Sequence, residues 1–494
     1  MTGQRWGKLF TTAAAAAVAG LMAADRSVVL AQTSASTAAA EGCVTDYDAS
    51  AGVDYFPDKA EIEYAESFSV EYFPAYKVVT ISGLVYVLYQ CGTPEPDLSA
   101  DMEVQLYVSV PVTTVATGTP DHIPRIEMLG HRDTIVAYTG DTSRVGSPCV
   151  DSLVEDGSVL EAITFDAACS SDIIDNEVLI SESVEVAFGD FLTTTSTSTC
   201  PDAKNTHNGV AIQLFFETGP TAALAQGEAI KLFALFYNEE TLANSIFAEI
   251  ENLWDCTKHN AQGCSIRLET SPTVAWFSYL PVDTSPDAYD VAGSFWGTSA
   301  NDTFYGHAIN NTGGTLIWCG EPFGELTDAE MVDCYADADV CVFGENYEAV
   351  VAAYGTDALN QLSCVQNDSA YDITLSGINT WFEATSVEPH VLMEDMVVVL
   401  HGEDFNYGLG SYERLLLRHV ASEDAESGTY YADVGTCDDP DAVLEIQGEC
   451  DFLVDFESCD ELLTADRQDS PASKVLPGAA AAAVVLAALT ASLW

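Results

Sequence analysis

The feature that most constrains the fold is an alternation of short apolar strands with helical segments, which occurs twice along the chain. Strands are predicted over 113–116, 134–136, 184–188 and 210–216 in the first set, and over 273–279, 315–318 and 340–343 in the second. This alternation is typical of a mostly parallel sheet covered by helices. The sequence therefore predicts an α/β fold with two βα lobes, each around a central sheet.

The two sets are separated by the longest helical pattern of the chain. It runs from about Ala222 to Trp254, and its apolar residues approximate one stripe at helical spacing. A second, amphipathic helix is predicted over 391–400. Two lobes joined by one long connecting helix form a bilobal clamp, which leaves a cleft between the lobes.

A different pattern precedes the first lobe. From Phe68 the residues alternate between apolar and polar, and turns are indicated near Pro74 and Gly83. Alternation with short turns is typical of antiparallel strands. We therefore expect an N-terminal antiparallel β hairpin region in front of the clamp.

The two ends carry signals of their own. Arg5 and Lys8 precede an apolar run, and Val29-Leu30-Ala31 fits the cleavage site of a secretory signal peptide. Residues 475–494 carry no charge and follow small residues, which fits a glycolipid-anchor signal or a transmembrane helix, with a buried helix as the third alternative. The first two alternatives tether an extracellular body to the outer face of the cell membrane.

These patterns divide the chain into eight predicted segments. They are a signal peptide (1–31), a linker (32–60), the N-terminal β region (61–111), lobe 1 (112–221), the connecting helix (222–256), lobe 2 (257–435), an acidic segment with cysteines (436–474) and the C-terminal anchor signal or transmembrane helix (475–494).

Composition excludes several classes of function. The 494 residues include 77 Asp and Glu against 16 Lys and Arg, a formal net charge of −61. A charge of this sign repels phosphate backbones, so nucleic-acid binding is not expected. Hydrophobic residues make up 48% of the chain, which is enough for a large core and excludes general disorder.

The cysteines and sequons agree with a secreted protein. Fourteen cysteines in such a chain imply disulfides, and the absence of C-x-x-C disfavours zinc-ribbon and thioredoxin-like sites. Short spacings favour a Cys256–Cys264 bridge and local bridges within two groups, Cys319/Cys334/Cys341 and Cys437/Cys450/Cys459. Glycosylation sequons begin at Asn301, Asn310 and Asn367.

Several stretches, in this order, resemble the helical-backbone class (class III) of ABC-type substrate-binding proteins. The match is spread in pieces over about 60–405. The stretches begin Ala65-Glu-Ser-Phe-Ser, Val87-Leu-Tyr-Gln, Thr119-Pro-Asp-His, Asp175-Asn-Glu-Val-Leu, Lys231-Leu-Phe-Ala, Ala336-Asp-Ala-Asp, Asn379-Thr-Trp-Phe-Glu and Glu388-Pro-His-Val.

The resemblance implies capture of cobalamin or a ferric siderophore in an interlobe cleft. The cysteines and the C-terminal tail depart from bacterial lipoproteins and resemble the cobalamin-acquisition branch of algae and diatoms. This departure leaves the uptake partner open between a transporter and an endocytic receptor. No catalytic motif and no resident cofactor are expected, since H-E-x-x-H, G-x-S-x-G, P-loop and Rossmann patterns are all absent from the sequence.

Candidate ligand contacts follow from the rule that ligands of open α/β sheets bind at the carboxyl ends of the strands. Aromatic side chains near these ends suit a flat amphipathic ligand such as a corrin ring. The predicted contacts are Asp121, His122, Phe191, Phe216, Glu217, Tyr279, Trp296, Phe304, Trp381 and Phe382.

Each candidate has an alternative interpretation. An aromatic side chain taken alone is more often core, whereas Trp381 follows Gly377 in a stretch that resembles a loop at the cleft. His122 suits packing or a cap better than a metal, and Glu217 and Glu383 suit an acidic solvated surface.

Other ligands and another class of function stay open. Arg125, Arg132 and Arg144 leave a ferric siderophore possible, and haem is a further alternative. A non-transport acidic adhesion protein is the alternative from another class.

Overall fold

The computed structural model describes residues 42–98, 102–166, 171–189, 210–214, 222–268, 271–280, 295–298, 304–319, 325–402, 412–423, 437, 439, 442–448 and 450–453. The predicted signal peptide, the C-terminal tail, Phe191, Phe216, Glu217 and Asn301 lie outside these residues. Within the described residues, no helix is both long enough and apolar enough to cross a membrane.

The N-terminal β region is a four-stranded sheet in the order β1-β2-β3-β4. Its first three strands are antiparallel, as the alternation predicts, and β4 runs parallel to β3. The turn between β2 and β3 uses positive φ at Ser82 and Gly83, a conformation that glycine adopts without strain. The strands are β1 (Phe68–Tyr72), β2 (Tyr76–Ile81), β3 (Leu84–Gln90) and β4 (Val104–Val110).

Lobe 1 contains a five-stranded sheet in the order β11-β10-β5-β6-β7, with all neighbours parallel. This confirms the first predicted βα set. Residues of β5 and β10 are buried throughout, as expected for parallel strands covered on both faces. The strands are β5 (Val115–Thr117), β6 (Ile135–Tyr138), β7 (Leu160–Glu161), the hairpin β8 (Ile163–Asp166) and β9 (Ser171–Ile174), β10 (Val186–Gly189) and β11 (Ala211–Gln213).

The described residues of this lobe form three helices: α1 (His122–Met128), α2 (Pro148–Asp156) and α3 (Asn176–Ser181). Ser147 caps α2, because its side chain accepts a hydrogen bond from the Val150 amide. Asp175 caps α3 in the same way, by accepting from Glu177. These caps fix where each strand-to-helix loop ends.

The connecting segment differs from the prediction of one helix over 222–256. It forms three helices, α4 (Ala222–Glu228), α5 (Ile230–Tyr237) and α6 (Glu240–Leu268). The break before α6 falls at Asn238, which adopts a left-handed conformation with φ of 61° and receives a hydrogen bond from Lys77 Nζ at 2.9 Å. The long helix therefore starts and ends later than its apolar stripe indicates.

Lobe 2 contains a mixed sheet in the order β15-β13-β12-β16-β17-β18, with β14 also paired to β12. Strands β12, β14, β16 and β17 are parallel, which confirms the second βα set, and antiparallel strands extend it. The strands are β12 (Thr273–Leu280), β13 (Phe295–Thr298), β14 (Thr315–Ile317), β15 (Glu325–Leu326), β16 (Val340–Phe343), β17 (Ala370–Asp372) and β18 (Arg418–His419).

One helix of lobe 2 differs from the prediction. The helix predicted as amphipathic over 391–400 is buried from Pro389 to Leu400, because it packs against α6 on one side and against lobe 2 on the other. The helices are α7 (Phe304–Asn311), α8 (Asp328–Tyr335), α9 (Tyr347–Tyr354), α10 (Ser363–Gln366), α11 (Ile378–Val387) and α12 (Pro389–His401).

Disulfides connect regions that are distant in sequence. Cys256 bonds to Cys450, so the prediction of a local Cys256–Cys264 bridge was wrong. Cys437 bonds to Cys149 instead of to a cysteine close to it in sequence. Within the other group, Cys319–Cys334 is local as expected, whereas Cys341 bonds outside it. Two further bonds are Cys43–Cys91 and Cys341–Cys364.

The described residues between 437 and 453, here called the C-terminal strap, run along both lobes. Cys437 attaches the strap to α2 of lobe 1, and Cys450 attaches it to α6. Between these points the Gln447 amide donates to Glu388 Oε1 at 2.6 Å, just before α12. The strap thus joins lobe 1 covalently to the connecting helix.

Candidate functional site

The carboxyl ends of the two sheets meet at α11. This helix follows β17, so it begins at the carboxyl edge of the lobe 2 sheet. Its residues contact the loop that follows β6 in lobe 1: Asn379 Nδ2 donates to Ser143 O at 3.3 Å, and the Gly146 amide donates to Glu383 Oε1 at 2.6 Å. Ligands of α/β sheets bind at such edges, so this interlobe region is the candidate site.

Arg125 of α1 ties the two lobes together from the other side. Its Nη1 lies 2.6 Å from Asp121 Oδ2, and its Nη2 donates to Gln226 O and Ser386 O at 3.0 Å each. Ser386 is in the last turn of α11, where a cation is favoured by the helix dipole. Arg125 is only 3% exposed, so its charge interacts with groups inside the protein.

Asp121 is the counter-ion of this arginine. Burial alone would raise the pKa of the Asp121 carboxyl, but the Arg125 charge, the neighbouring His122 and the Thr119 hydroxyl hold it below its usual value. Asp121 therefore stays ionised and bound to Arg125. The pair is an internal element of the lobe contact rather than a charge offered to a ligand.

Glu383 reaches across from lobe 2 and is almost fully buried. Burial raises the pKa of its carboxyl well above the usual range, and the charges of Glu127 and Asp121 add to this. The Gly146 and Ser147 amides, which donate to the carboxyl, only partly oppose the shift. A Cβ at position 146 would lie 2.6 Å from Glu383 Oε2, so glycine lets this loop approach the carboxyl without displacing it.

On the lobe 2 side, three rings form an aromatic cluster. Trp276 of β12 stacks on Tyr305 of α7 with centroids 4.4 Å apart, and Trp381 of α11 lies 5.8 Å from Trp276 and 6.0 Å from Tyr305. Both tryptophans are 2% exposed, whereas Tyr305 is only partly buried. The cluster is a packed floor whose accessible ring is Tyr305.

Glu345 lies two residues after the end of β16, at the carboxyl edge of the same sheet. Its Oε2 accepts a hydrogen bond from the Tyr279 amide at 3.0 Å, and the Ser278 hydroxyl also donates to the carboxyl. Burial raises its pKa to about 7, against those two hydrogen bonds. The side chain is partly exposed. Glu345 was not among the predicted contacts, although the strand-end rule that selected Asp121 also applies to it.

The predicted pair Asp121 and His122 lies after the carboxyl end of β5, as the rule requires. His122 is buried between rings, with centroids 5.3 Å from Phe233 and 6.5 Å from Phe188. Burial lowers its pKa to about 4, so the imidazole is neutral at physiological pH. Its ring packs in the core of lobe 1.

The lobe 2 candidates divide between core and surface. Tyr279 points to the opposite face of β12 from Trp276 and packs 5.1 Å from Tyr354. Trp381 is in a helix and buried, which corrects its placement in a loop at the cleft wall; its neighbour Phe382 is 55% exposed.

The remaining lobe 2 candidates lie near the aromatic cluster. Phe304 is partly buried, edge-on to Tyr305 at 5.5 Å. Trp296 has its backbone in β13, paired with Tyr279, and its side chain lies outside the described part.

Two of the three predicted glycosylation sequons lie among the described residues. Asn310 and Asn367 are exposed, so both are accessible to glycosylation. In the described part of the chain, no group of three or more His, Cys, Asp and Glu side chains is placed to hold a metal ion.

Comparison with known proteins finds similarity only among solved structures. No protein-family model matches the chain, and no curated protein matches it. An ABC transporter substrate-binding protein from Listeria monocytogenes is 14% identical, with a TM-score of 0.39, over 58% of this chain and 98% of that one.

Two further structures are similar to the same degree. The periplasmic vitamin B12 binding protein of Vibrio cholerae is 13% identical (TM-score 0.36; 59% of this chain, 97% of that one). A periplasmic heme-binding protein from Roseiflexus is 12% identical (TM-score 0.39; 58% and 97%). All three are binding proteins by name.

Proposed function

We propose that this chain is a substrate-binding protein that captures cobalamin between its two lobes for cellular uptake, as in the algal and diatom branch that its sequence resembles. The single observation that carries the proposal is the meeting of the two carboxyl edges at α11, beside an aromatic floor. A flat, amphipathic ligand with peripheral amides suits such a boundary, because it buries ring area and hydrogen-bonds at its rim.

The charges of this region favour a ligand of low net charge. Arg125 is held by Asp121, and Arg132 Nε lies 2.5 Å from Glu127 Oε1. Anionic chelates are usually bound by convergent, available arginines or lysines. Two carboxyls with raised pKa, Glu345 and Glu383, lie in the same region and add no positive charge.

Ferric siderophore binding is the second candidate, and one observation favours it. Arg144 is exposed in the loop after β6, at the carboxyl edge of lobe 1, where an anionic ligand would meet it. A single cation in an acidic surrounding gives weaker attraction than a convergent set. Cobalamin therefore stays the preferred ligand, and Arg144 distinguishes the two in a test.

Calorimetry of the full chain in detergent with cyanocobalamin tests the proposal. We expect a dissociation constant below about 1 μM, with competition by neither a ferric siderophore nor haem, and no loss of affinity in Arg144→Ala. Absence of binding would overturn the proposal. Binding of a siderophore that Arg144→Ala abolishes would establish the second candidate, and no ligand of either kind would favour the adhesion alternative.

The tethering of this protein to the outer face of the membrane is part of the proposal. It is supported by the uncharged run 475–494 and the small residues before it. Treatment of intact cells with a phosphatidylinositol-specific phospholipase is expected to release the protein if the tail directs a glycolipid anchor. Retention in the membrane pellet would instead indicate a transmembrane helix.

A further inference from the structure

We propose that Glu345 contacts the ligand and sets its specificity, by accepting hydrogen bonds from ligand amide or hydroxyl groups and rejecting a carboxylate at the same place. This inference rests on the proposed function, since it assigns a chemical role within that binding site. It adds Glu345, which lies at the carboxyl edge of the lobe 2 sheet, between the ends of β12 and β16.

The ends of two strands, β12 and β16, fix the position of Glu345. It follows β16 by two residues, and the Tyr279 amide at the end of β12 holds its Oε2 at 3.0 Å. Gly344 keeps this corner open, because a Cβ there would lie 2.2 Å from Ser278 Oγ. Glu345 is thus held between the ends of two neighbouring parallel strands.

The carboxyl has hydrogen-bonding capacity to spare. Two carboxylate oxygens offer about four acceptor sites, and the strand ends use two of them, through the Tyr279 amide and the Ser278 hydroxyl. Among the described residues, no lysine or arginine forms an ion pair with Glu345. The remaining acceptor sites of this partly exposed carboxyl can be satisfied by hydrogen-bond donors from outside the chain.

The neighbouring ring gives this carboxyl a defined geometry toward a flat ligand. Ser278, which donates to Glu345, is two residues from Trp276 in β12, so its side chain lies on the face of the sheet that carries Trp276. Burial and the charge of Glu345 both raise the pKa of the Tyr305 hydroxyl, against a hydrogen bond with Trp381. Tyr305 itself stacks on the buried Trp276. A ring lying near Tyr305 would therefore present its rim, and the amides on that rim, to Glu345.

Like-charge repulsion converts this geometry into specificity. A ligand carboxylate beside an ionised Glu345 places two negative charges together in a partly buried site, which disfavours binding. With a pKa of about 7, Glu345 is protonated in mild acid and then donates to a carboxylate. Discrimination against acids is therefore expected to increase as pH rises through neutrality.

The test compares cyanocobalamin with its monocarboxylic derivatives, in which one peripheral amide is hydrolysed to a carboxylate. Calorimetry uses the full chain at about pH 6 and about pH 8.5. The wild type is expected to bind the amide about tenfold more tightly than at least one monoacid at the higher pH, with a smaller ratio at the lower pH. In Glu345→Gln the ratio is expected to be near one at both.

Asp337→Asn is the matched control. It removes the same charge from an exposed residue in the turn before β16, at the opposite end of that strand, and is expected to keep the wild-type ratios. A monoacid ratio that is unchanged in Glu345→Gln, or a wild-type ratio that is independent of pH, would overturn the inference while cyanocobalamin binding upholds the proposed function. If the wild type binds no cobalamin, the proposed function fails and takes the inference with it.

Discussion

The two sides of the interlobe region are built from different materials. Lobe 1 presents polar groups, with the Arg125–Asp121 pair and the backbone amides that receive Glu383. Lobe 2 presents an aromatic floor, in which Trp276 and Trp381 are buried under Tyr305. The difference indicates two separate roles. Directional hydrogen bonds from lobe 1 set the relative position of the two lobes, and apolar burial in lobe 2 stabilises the surface at their boundary.

The largest expected effect comes from removing the floor. Trp276→Ala leaves a cavity in the core and is expected to lower the free energy of unfolding by about 3–5 kcal/mol. Urea unfolding followed by circular dichroism measures it. Trp318→Ala is the control, because Trp318 is 39% exposed, and a change below about 1 kcal/mol is expected. Equal losses of unfolding free energy in the two variants would contradict the conclusion that Trp276 stabilises the core.

The polar side is broken by Arg125→Ala. This change leaves Asp121 charged and buried without its partner, and is expected to cost about 3 kcal/mol in the same measurement. Arg144→Ala, which removes an exposed arginine, should change little. If the interpretation is right, the double variant Arg125→Met/Asp121→Asn recovers part of the loss; a loss equal to the sum of the single variants would speak against it.

Glu383 sharpens the comparison through pH. Its pKa is raised in the folded protein, so its contribution favours the folded state at low pH and is lost as pH rises from about 4.5 through the folded value. Glu383→Gln is therefore expected to be more stable than the wild type at about pH 8, by about 1 kcal/mol or more, and equal to it at about pH 4.

Chemical unfolding at several pH values measures this difference. Glu330→Gln is the control, because the Glu330 pKa is lowered by hydrogen bonds from Thr327 in a helix cap. It should bring no gain in stability at the higher pH. A stability profile of Glu383→Gln parallel to that of the wild type would show that Glu383 does not titrate with the lobe contact.

The smallest effect is expected at His122. The imidazole is neutral, packs between Phe188 and Phe233, and has an Nδ1 without a hydrogen-bond partner in the described structure. His122→Phe is expected to change the free energy of unfolding by less than about 1 kcal/mol, and to leave cyanocobalamin affinity unchanged. A tenfold loss of affinity in a normally folded variant would place His122 in contact with the ligand.

Local patterns predicted most of the architecture. The alternation from Phe68 and the two βα sets correspond to three sheets of the structure. They were predictable because the apolar pattern of each strand reflects which of its own residues are buried. The connecting helix was misplaced, since its apolar stripe continues through Asn238, where a left-handed residue ends α5. The stretch around Trp381 was interpreted as a loop, yet α11 begins at Ile378, directly after the positive φ of Gly377, and contains Trp381.

The site was less predictable than the fold, because its chemistry depends on contacts between distant residues. Asp121 and His122 follow from the rule on strand ends, and so does Glu345, which was overlooked. Glu383 was interpreted as one of many solvated acids, but its partner Gly146 lies 237 positions away in sequence. The same holds for Cys149 and Cys437, whose pairing no local spacing indicates.

The C-terminal strap has a consequence for biosynthesis. Cys149 and Cys437 are separated by 288 positions, and Cys256 and Cys450 by 194. While the ribosome is still producing lobe 2, the thiols of α2 and α6 have already emerged and their native partners do not yet exist. Every other cysteine made in the meantime is a competing partner, and any non-native disulfide that forms with one of them must be exchanged before the native pair can form.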